Sequence, residues 1–160
     1  MIRLIAAIDQ KRGLAKNGYQ PWHIPADEQY FKDQTRTFGA NILMGRKTFE
    51  VVKHPLPARS NYVLSHTHLE DVGIVSVTDL GAFLNNVAED IWVIGGAAVY
   101  EQTIALADFL YMTVIEYDFG CDQFFPDYKE EFELIDQSPP QYEAGLPYRY
   151  TIFRHLTASK

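Results

Sequence analysis

Short apolar runs alternate with segments of helical periodicity along this chain. The run Ile2–Ile8 has the apolar character of a strand buried in the middle of a sheet. Further strands are predicted at Ile42–Met44, Asn61–Leu64, Ile74–Val77, Ile91–Ile94 and Phe109–Ile115. In the tail, Phe132–Gln137 and Tyr148–His155 alternate between apolar and polar residues, which predicts a closing antiparallel hairpin with a long loop.

Four segments between these strands favour helices, and Leu14–Pro25 favours a loop. The predicted helices are Asp27–Phe38, ended by Gly39; Gly45–Val52, stopped before Pro55; a segment capped by Thr78 that runs through Val87; and a segment that starts directly after Ile94. Alternating strands and helices predict an α/β fold, a three-layer sandwich in which about four helices cover a mostly parallel sheet. Such sheets bind ligands beyond the carboxyl ends of their strands.

The composition limits the classes of protein to consider. The 160 residues fit one domain, predicted to span residues 1–160, and a hydrophobic content of 47% argues against wholesale disorder. A net charge of −7 argues against a nucleic-acid partner or an anionic membrane surface. The chain has one cysteine, no signal-peptide pattern and no run of about 18 apolar residues. These features predict a reducing, cytoplasmic setting without a membrane span.

Two of the predicted strands are followed by turns that suit phosphate groups. Gly95 and Gly96 would let a ligand approach the backbone at the start of a helix, although a tight turn without a ligand fits them equally well. Arg46 and Lys47 open another helix, where the macrodipole disfavours cations. A bound polyanion would correct that mismatch, and the alternative is two solvated surface cations. Two such turns suggest a dinucleotide.

Acidic and basic residues elsewhere mark a second group of candidates. Asp27 and Glu28 both fall in the first turn of a helix, where acids are favoured in any case, and periodicity leaves open which of them points inward. Phe31 shares the helical face of Asp27. Arg59, in a stretch stiffened by prolines, suits a carboxylate, although an exposed loop arginine explains it as well. The five histidines lack metal-ligand spacing, so no metal site is predicted.

Taken in order, these segments resemble the dihydrofolate reductase family over nearly the whole chain. The similarity is carried by the stretches PWHIPADEQYFK, ILMGRKTFE, PLPARSNYVLS, VIGGAAVYEQ, LYMTVIE and FFPDY. The resemblance implies a mixed eight-stranded sheet and an oxidoreductase of the bacterial chromosomal type, which uses NADPH to reduce 7,8-dihydrofolate to tetrahydrofolate for one-carbon metabolism. It also implies a monomer that binds antifolates such as trimethoprim or methotrexate.

The resemblance also implies roles for individual residues. Asp27 and Trp22 would be catalytic: Asp27 would accept hydrogen bonds from the pterin, and Trp22 would hold a water nearby while hydride passes to pterin C6 and N5 gains a proton. The residues implied to bind substrate are Ile5, Ala6, Asp27, Glu28, Phe31, Val52, Leu56, Arg59, Ile94 and Thr113. The residues implied to bind NADPH are Ala7, Leu14, Asn17, Gly18, Gln20, Gly45, Arg46, Lys47, Thr48, Leu64, Ser65, His66, Gly95, Gly96, Ala97, Ala98, Val99 and Tyr100.

Some positions depart from the family pattern. Glu28 stands where the family usually has an apolar pocket residue, and a second carboxylate beside Asp27 should raise the pKa of one of the two. Ala98 stands where many bacterial members have an arginine for the cofactor 2′-phosphate, so His66 or Arg46 would have to supply that contact. Two alternatives stay open: a related pyrimidine or pterin reductase of the same superfamily, and a non-catalytic NADPH-binding protein.

Overall fold

A computed structural model describes residues 1–157 of the chain. The strands are β1 Ile2–Ile8, β2 Gly13–Ala15, β3 Asn41–Gly45, β4 Ser60–Leu64, β5 Ile74–Val77, β6 Ile91–Val93, β7 Phe109–Ile115, β8 Gln123–Phe124, β9 Phe132–Gln137, β10 Gln141–Glu143 and β11 Leu146–His155. The helices are α1 Pro25–Thr35, α2 Arg46–Val52, α3 Leu80–Asn86 and α4 Ala97–Thr103, the last followed by a 3-10 turn at Ile104–Leu106. Residues 158–160 of the predicted domain lie outside the described residues.

The main sheet has the order β10-β11-β7-β1-β6-β3-β4-β5. The strands from β7 to β5 are parallel to their neighbours, and β11 runs antiparallel to β7. Strands β9 and β10 both pair with the edge of β11 that faces away from β7, so they share one position across the sheet. The predicted mixed, mostly parallel sheet with eight strand positions and four helices is therefore confirmed.

Apolar side chains cover both faces of this sheet, as the sandwich prediction requires. Along β1, Leu4, Ala6 and Ile8 belong to one buried cluster, while Ile5 belongs to another that contains Trp92. This alternation follows from the two-residue period of a strand. Within residues 1–157, no helix combines the length and the hydrophobicity needed to cross a membrane.

Several predicted element boundaries were wrong, for local reasons. Helix α1 ends at Thr35 instead of Phe38, because Phe38 adopts a left-handed φ of 52° that no right-handed helix accommodates. Helix α3 is capped by Asp79 instead of Thr78, since the Asp79 side chain accepts a hydrogen bond from Ala82 N at 3.0 Å. The short strands β2, β8 and β10 were not predicted.

The strand order determines where a ligand can enter. Strand β6 follows β5 in the chain but lies between β1 and β3, so the direction of strand addition reverses at this point. In open α/β sheets, the crevice beyond the carboxyl ends of the strands at such a reversal is the usual binding site. The carboxyl ends of β1, β3, β6 and β7 therefore define the place to look for chemistry.

Candidate active site

A carboxylate and a hydroxyl meet beside the carboxyl end of β7. Asp27 lies in the first turn of α1, which starts at Pro25, and its Oδ1 accepts a hydrogen bond from Thr113 Oγ1 at 2.6 Å. Thr113 is buried and Asp27 is half-buried, whereas Glu28 is exposed. Of the two acids that the sequence left as candidates, Asp27 is thus the one that points inward.

The surroundings of Asp27 change its acid–base behaviour. Burial raises the pKa of Asp27 from 3.8 to about 6; the hydrogen bond from Thr113 opposes this rise, and the charge of Glu28 adds to it. The predicted influence of a second carboxylate is confirmed in direction, although burial has the larger effect. Asp27 can therefore exchange a proton close to neutral pH, as a general acid or base must.

Two tyrosines that the sequence interpretation missed, Tyr30 and Tyr150, lie close to Asp27. The rings of Tyr30 and Tyr150 stack with centroids 4.0 Å apart. Burial raises the pKa of Tyr30 to about 12, with contributions from Tyr111 and Asp27, so this tyrosine stays neutral in the physiological range. Tyr30 follows Asp27 by three residues, and helical periodicity could have indicated it, whereas Tyr150 comes from β11 and has no local signal.

Four of the predicted substrate-binding residues pack into one apolar cluster. Ile5, Phe31, Leu56 and Ile94 join it from β1, α1, the segment before β4 and the end of β6. Val52 is half-buried on α2 and lies outside the cluster. Ala6 also lies outside it, in the cluster on the opposite face of the sheet.

Trp22 is buried in a separate cluster, next to the start of α1. Its neighbours there include Ala7 on β1 and Ile115 on β7, and its ring centroid lies 5.2 Å from that of Phe119. Trp22 and Asp27 therefore both lie near the carboxyl end of β7. Strand pairing between Ala7 and Thr113 brings these two neighbourhoods together.

Two cations lie at the carboxyl end of α1. Arg59 donates hydrogen bonds from Nη1 to Thr35 Oγ1 and from Nε to Pro57 O, both at 2.9 Å. Burial lowers the pKa of Arg59, and the charge of Arg36, the C-cap of α1, lowers it further. The rim formed by Arg59 and Arg36 suits an anion, because a carboxylate would relieve the repulsion between them. The sequence pattern singled out Arg59 but not Arg36.

The two glycine-containing turns lie against each other. Gly45 N, at the end of β3, donates a hydrogen bond to Gly95 O at 2.8 Å. A Cβ on Gly45 would lie 2.9 Å from Val99 Cγ2, and one on Gly96 would lie 3.4 Å from Thr48 Oγ1. Helices α2 and α4 therefore begin side by side, as the hypothesis of one ligand with separated phosphate groups requires.

The side chains around these turns are mostly polar and open to solvent. Lys47, His66 and Ala98 are exposed, whereas Ser65 is buried. Arg46 is exposed, and its Nε lies 3.1 Å from Glu50 Oε1, one turn later on α2. The α2 first turn contains no acidic residue, so its free N–H groups and the two cations present a positive surface.

Part of the segment Leu14–Pro25, which was predicted as a loop, is held by hydrogen bonds to a residue distant in the sequence. Asn17 N donates to Asp122 Oδ2 at 3.0 Å, and Asp122 N donates to Ala15 O at 2.9 Å. Gly18, with a φ of 85°, and Gln20 are exposed, while Leu14 is half-buried in β2. The role of Asp122 was not predicted, because it lies 105 residues from Asn17 in the sequence.

No group of three or more His, Cys, Asp or Glu side chains within residues 1–157 is arranged to hold a metal ion. The acid–base chemistry described at the carboxyl edge of the sheet rests on Asp27, Thr113 and the neighbouring tyrosines. The two glycine turns add backbone donors and cations at the same edge.

Comparisons with known proteins agree with this geometry. The family model described as dihydrofolate reductase matches residues 1–156. The dihydrofolate reductase of Bacillus subtilis is 39% identical over 154 residues, covering 94% of this chain and 90% of the relative. That of Haemophilus influenzae is 37% identical over 134 residues, covering 82% of each.

A solved structure shares the fold over almost its full length. Dihydrofolate reductase from Enterococcus faecalis, complexed with NADP(H) and RAB-propyl, superimposes with a TM-score of 0.85 at 27% identity. The match covers 98% of this chain and 96% of that one. Together with the family match from residue 1 to residue 156, this shows that the chain belongs to the dihydrofolate reductase family.

Proposed function

We propose that Asp27 controls the proton in the NADPH-dependent reduction of 7,8-dihydrofolate to tetrahydrofolate. In that reaction C6 of the pterin gains a hydride, N5 gains a proton, and NADPH leaves as NADP⁺. The observation that carries the proposal is the half-buried Asp27 carboxylate, held by Thr113 and able to exchange a proton near pH 6. Its free oxygen would accept hydrogen bonds from pterin N–H groups.

The apolar cluster next to Asp27 supports binding of the flat part of the substrate. Ile5, Phe31, Leu56 and Ile94 would contact the pterin and benzoyl rings, and Trp22 would help to hold water near the pterin. Arg59 would bind the α-carboxylate of the glutamate tail, with Arg36 adding positive charge. The same surfaces would accept antifolate inhibitors.

The paired glycine turns fit the cofactor. NADPH supplies the hydride when bound, and its phosphates would face Arg46, Lys47, Thr48 and the backbone of Gly95–Tyr100. The missing Cβ atoms of Gly45 and Gly96 leave the two turns close together, as a ligand spanning both would require. Because Ala98 offers no charge, we assign the cofactor 2′-phosphate to Arg46 or His66. We also propose that the protein acts as a cytoplasmic monomer.

The test follows NADPH oxidation by dihydrofolate for the wild type, Asp27→Asn and Asp33→Asn. We expect Asp27→Asn to lose about 10²-fold or more of the rate at pH 7, because positioned proton transfer contributes about 10²–10⁴-fold. Asp33→Asn, an exposed change on the same helix, should keep the wild-type rate. An inactive wild type would refute the function, and a fully active Asp27→Asn would refute only the role of Asp27. A parallel assay with NADH measures the preference for NADPH, which the replacement of an arginine by Ala98 leaves open.

A further inference from the structure

A histidine and a glutamate lie in contact around the start of the active-site helix. His23 Nε2 lies 3.2 Å from Glu28 Oε1, and the two side chains are 72% and 58% exposed. His23 directly follows the buried Trp22, and Glu28 directly follows Asp27. Both side chains are thus exposed to solvent, next in the sequence to two residues of the candidate site.

Other groups surround Asp27 or its neighbour Tyr30, from five elements of the fold. From β7, Thr113 donates a hydrogen bond to Asp27, while on α1 the pKa of Tyr30 is raised by Asp27 and by Tyr111 of β7. Tyr150 on β11 interacts with both Asp27 and Tyr30, and Asp136 on β9 acts on Tyr30. Glu143 on β10 accepts a hydrogen bond from Ala26 N at 3.1 Å, one residue before Asp27.

These groups differ in whether their charge changes near neutral pH. Burial raises the pKa values of Tyr30 and Tyr150 above their usual value, so both tyrosines stay uncharged. Glu28 and Glu143 place negative charge around the first turn of α1, and the charge of Glu28 acts directly on Asp27. A histidine side chain ordinarily gains a proton between about pH 8 and pH 5. When the His23 side chain carries a proton, its charge offsets that of Glu28, 3.2 Å away.

We propose that His23 and Glu28 form an electrostatic control pair that sets the pH range in which Asp27 exchanges its proton during dihydrofolate reduction. The inference rests on the proposed role of Asp27. Both are positioning residues, because they act through Asp27. Glu28 makes Asp27 hold its proton more strongly, and charged His23 weakens that effect.

The sign of each substitution follows from this scheme. If hydride transfer depends on a proton near Asp27, its rate falls as the pH rises and the Asp27 carboxyl group loses its proton. Glu28→Gln removes a negative charge, so the fall should move to lower pH. His23→Asn leaves Glu28 without its cation, so the fall should move to higher pH. Each substitution removes one charged group in partly exposed surroundings, so each shift of the pH profile should be about 0.2–0.5 pH unit.

The experiment measures single-turnover hydride transfer from pH 5 to pH 9 at low ionic strength and again in 1 M salt. The controls are Glu130→Gln and His68→Asn, which alter an exposed carboxylate and an exposed histidine in other segments. We expect opposite shifts for the two test variants, no shift for the controls, and at least a halving of both shifts in 1 M salt, where exposed charges are screened. Urea unfolding at pH 7 checks that all four variants fold.

The outcomes separate this inference from the proposed function. If Asp27→Asn abolishes the pH-dependent step but neither test variant moves the profile, the control pair is refuted and the role of Asp27 stands. Shifts of the same sign, or shifts that persist in 1 M salt, would also refute the pair, since they would indicate a packing change. If Asp27→Asn keeps the wild-type profile, the role of Asp27 fails first.

Discussion

Asp27 and Gly95 both belong to the candidate site, but different kinds of structure hold them. Asp27 is held by a side-chain hydrogen bond to Thr113, which lies 86 residues away in the chain. Gly95 lies in a strand-to-helix turn with a φ of 110°, and backbone hydrogen bonds from Ile94 N to Leu43 O and from Gly45 N to Gly95 O join this turn to β3. The pterin side thus depends on a contact between distant side chains, and the cofactor side on glycine turns joined by backbone hydrogen bonds.

The pterin side and the cofactor side should respond differently to substitution. At Asp27 the difficulty is electrostatic, because a carboxylate has been moved out of water and its charged form is disfavoured. At Gly95 the difficulty is steric, because a side chain would need a backbone conformation that only glycine adopts readily. Removing the charge at the first site should therefore stabilise the fold, and adding atoms at the second should destabilise it.

The largest expected effect on stability is that of Asp27→Asn. Because folding raises the pKa of Asp27 from 3.8 to about 6, its stabilising contribution is present below pH 3.8 and is lost as pH rises through 6. A shift of about two units corresponds to about 3 kcal/mol. The asparagine side chain carries no charge, so the free energy of unfolding of the variant at pH 8 should exceed that of the wild type by up to about 3 kcal/mol. The difference should nearly vanish at pH 4.

Urea unfolding at both pH values measures this difference, with Asp33→Asn as the matched control. Asp33 is exposed on the same helix, so its substitution should show no comparable dependence on pH. If Asp27→Asn gains the same stability at pH 4 and pH 8, burial of the charged Asp27 carboxylate does not lower the free energy of unfolding of the wild type. The electrostatic half of the comparison would then fail.

The same contrast explains what the sequence could and could not predict. The turns after β3 and β6 were predicted from adjacent residues, because a strand that leads through glycine into a helix is a local pattern. Asp27 and Arg59 were also candidates because of their neighbours in the sequence: Asp27 falls in the first turn of a helix, and Arg59 follows two prolines. The resemblance to the family supplied Thr113, which nothing near it in the sequence indicates. The contact between α1 and β7 brings Thr113 to Asp27, and a contact between residues 86 positions apart is a long-range property.

The residues that were not predicted from the sequence are those whose contacts are long-range. Tyr150, Asp122 and Glu143 act on segments more than 100 residues away, and their own neighbours in the sequence carry no signal of it. The fold as a whole was predictable, because alternating strands and helices define an α/β sandwich. The short strands β2, β8 and β10 were not predictable, since two or three residues are too few to show a period.

A smaller effect is expected at the cofactor side, from Gly95→Ala. The added Cβ would lie 3.1 Å from the Tyr100 ring, in a backbone conformation that alanine rarely adopts, so we expect a loss of about 2 kcal/mol in stability. Affinity for NADPH should fall more than affinity for dihydrofolate, as measured by fluorescence titration. Gly145→Ala is the control, because its φ is 76° but nothing lies within 4 Å of the added atom. Equal losses in both variants would show that backbone strain alone, and not contact with Tyr100, limits this turn.

The smallest expected effect is that of Thr113→Val, which removes the hydroxyl while keeping the shape of the side chain. The hydrogen bond to the charged Asp27 should contribute about 1.5 kcal/mol at pH 8, and less at pH 4, where the carboxyl group is protonated. Because this bond lowers the pKa of Asp27, its loss should raise that pKa further and move the fall in hydride transfer to higher pH. Thr113→Ser keeps the hydroxyl and should behave like the wild type in both measurements, and NADPH affinity should be unchanged in both variants. If Val and Ser give the same unfolding curves and the same pH profile, the pterin side does not depend on a contact between distant residues, and the distinction between the two sides of the site disappears.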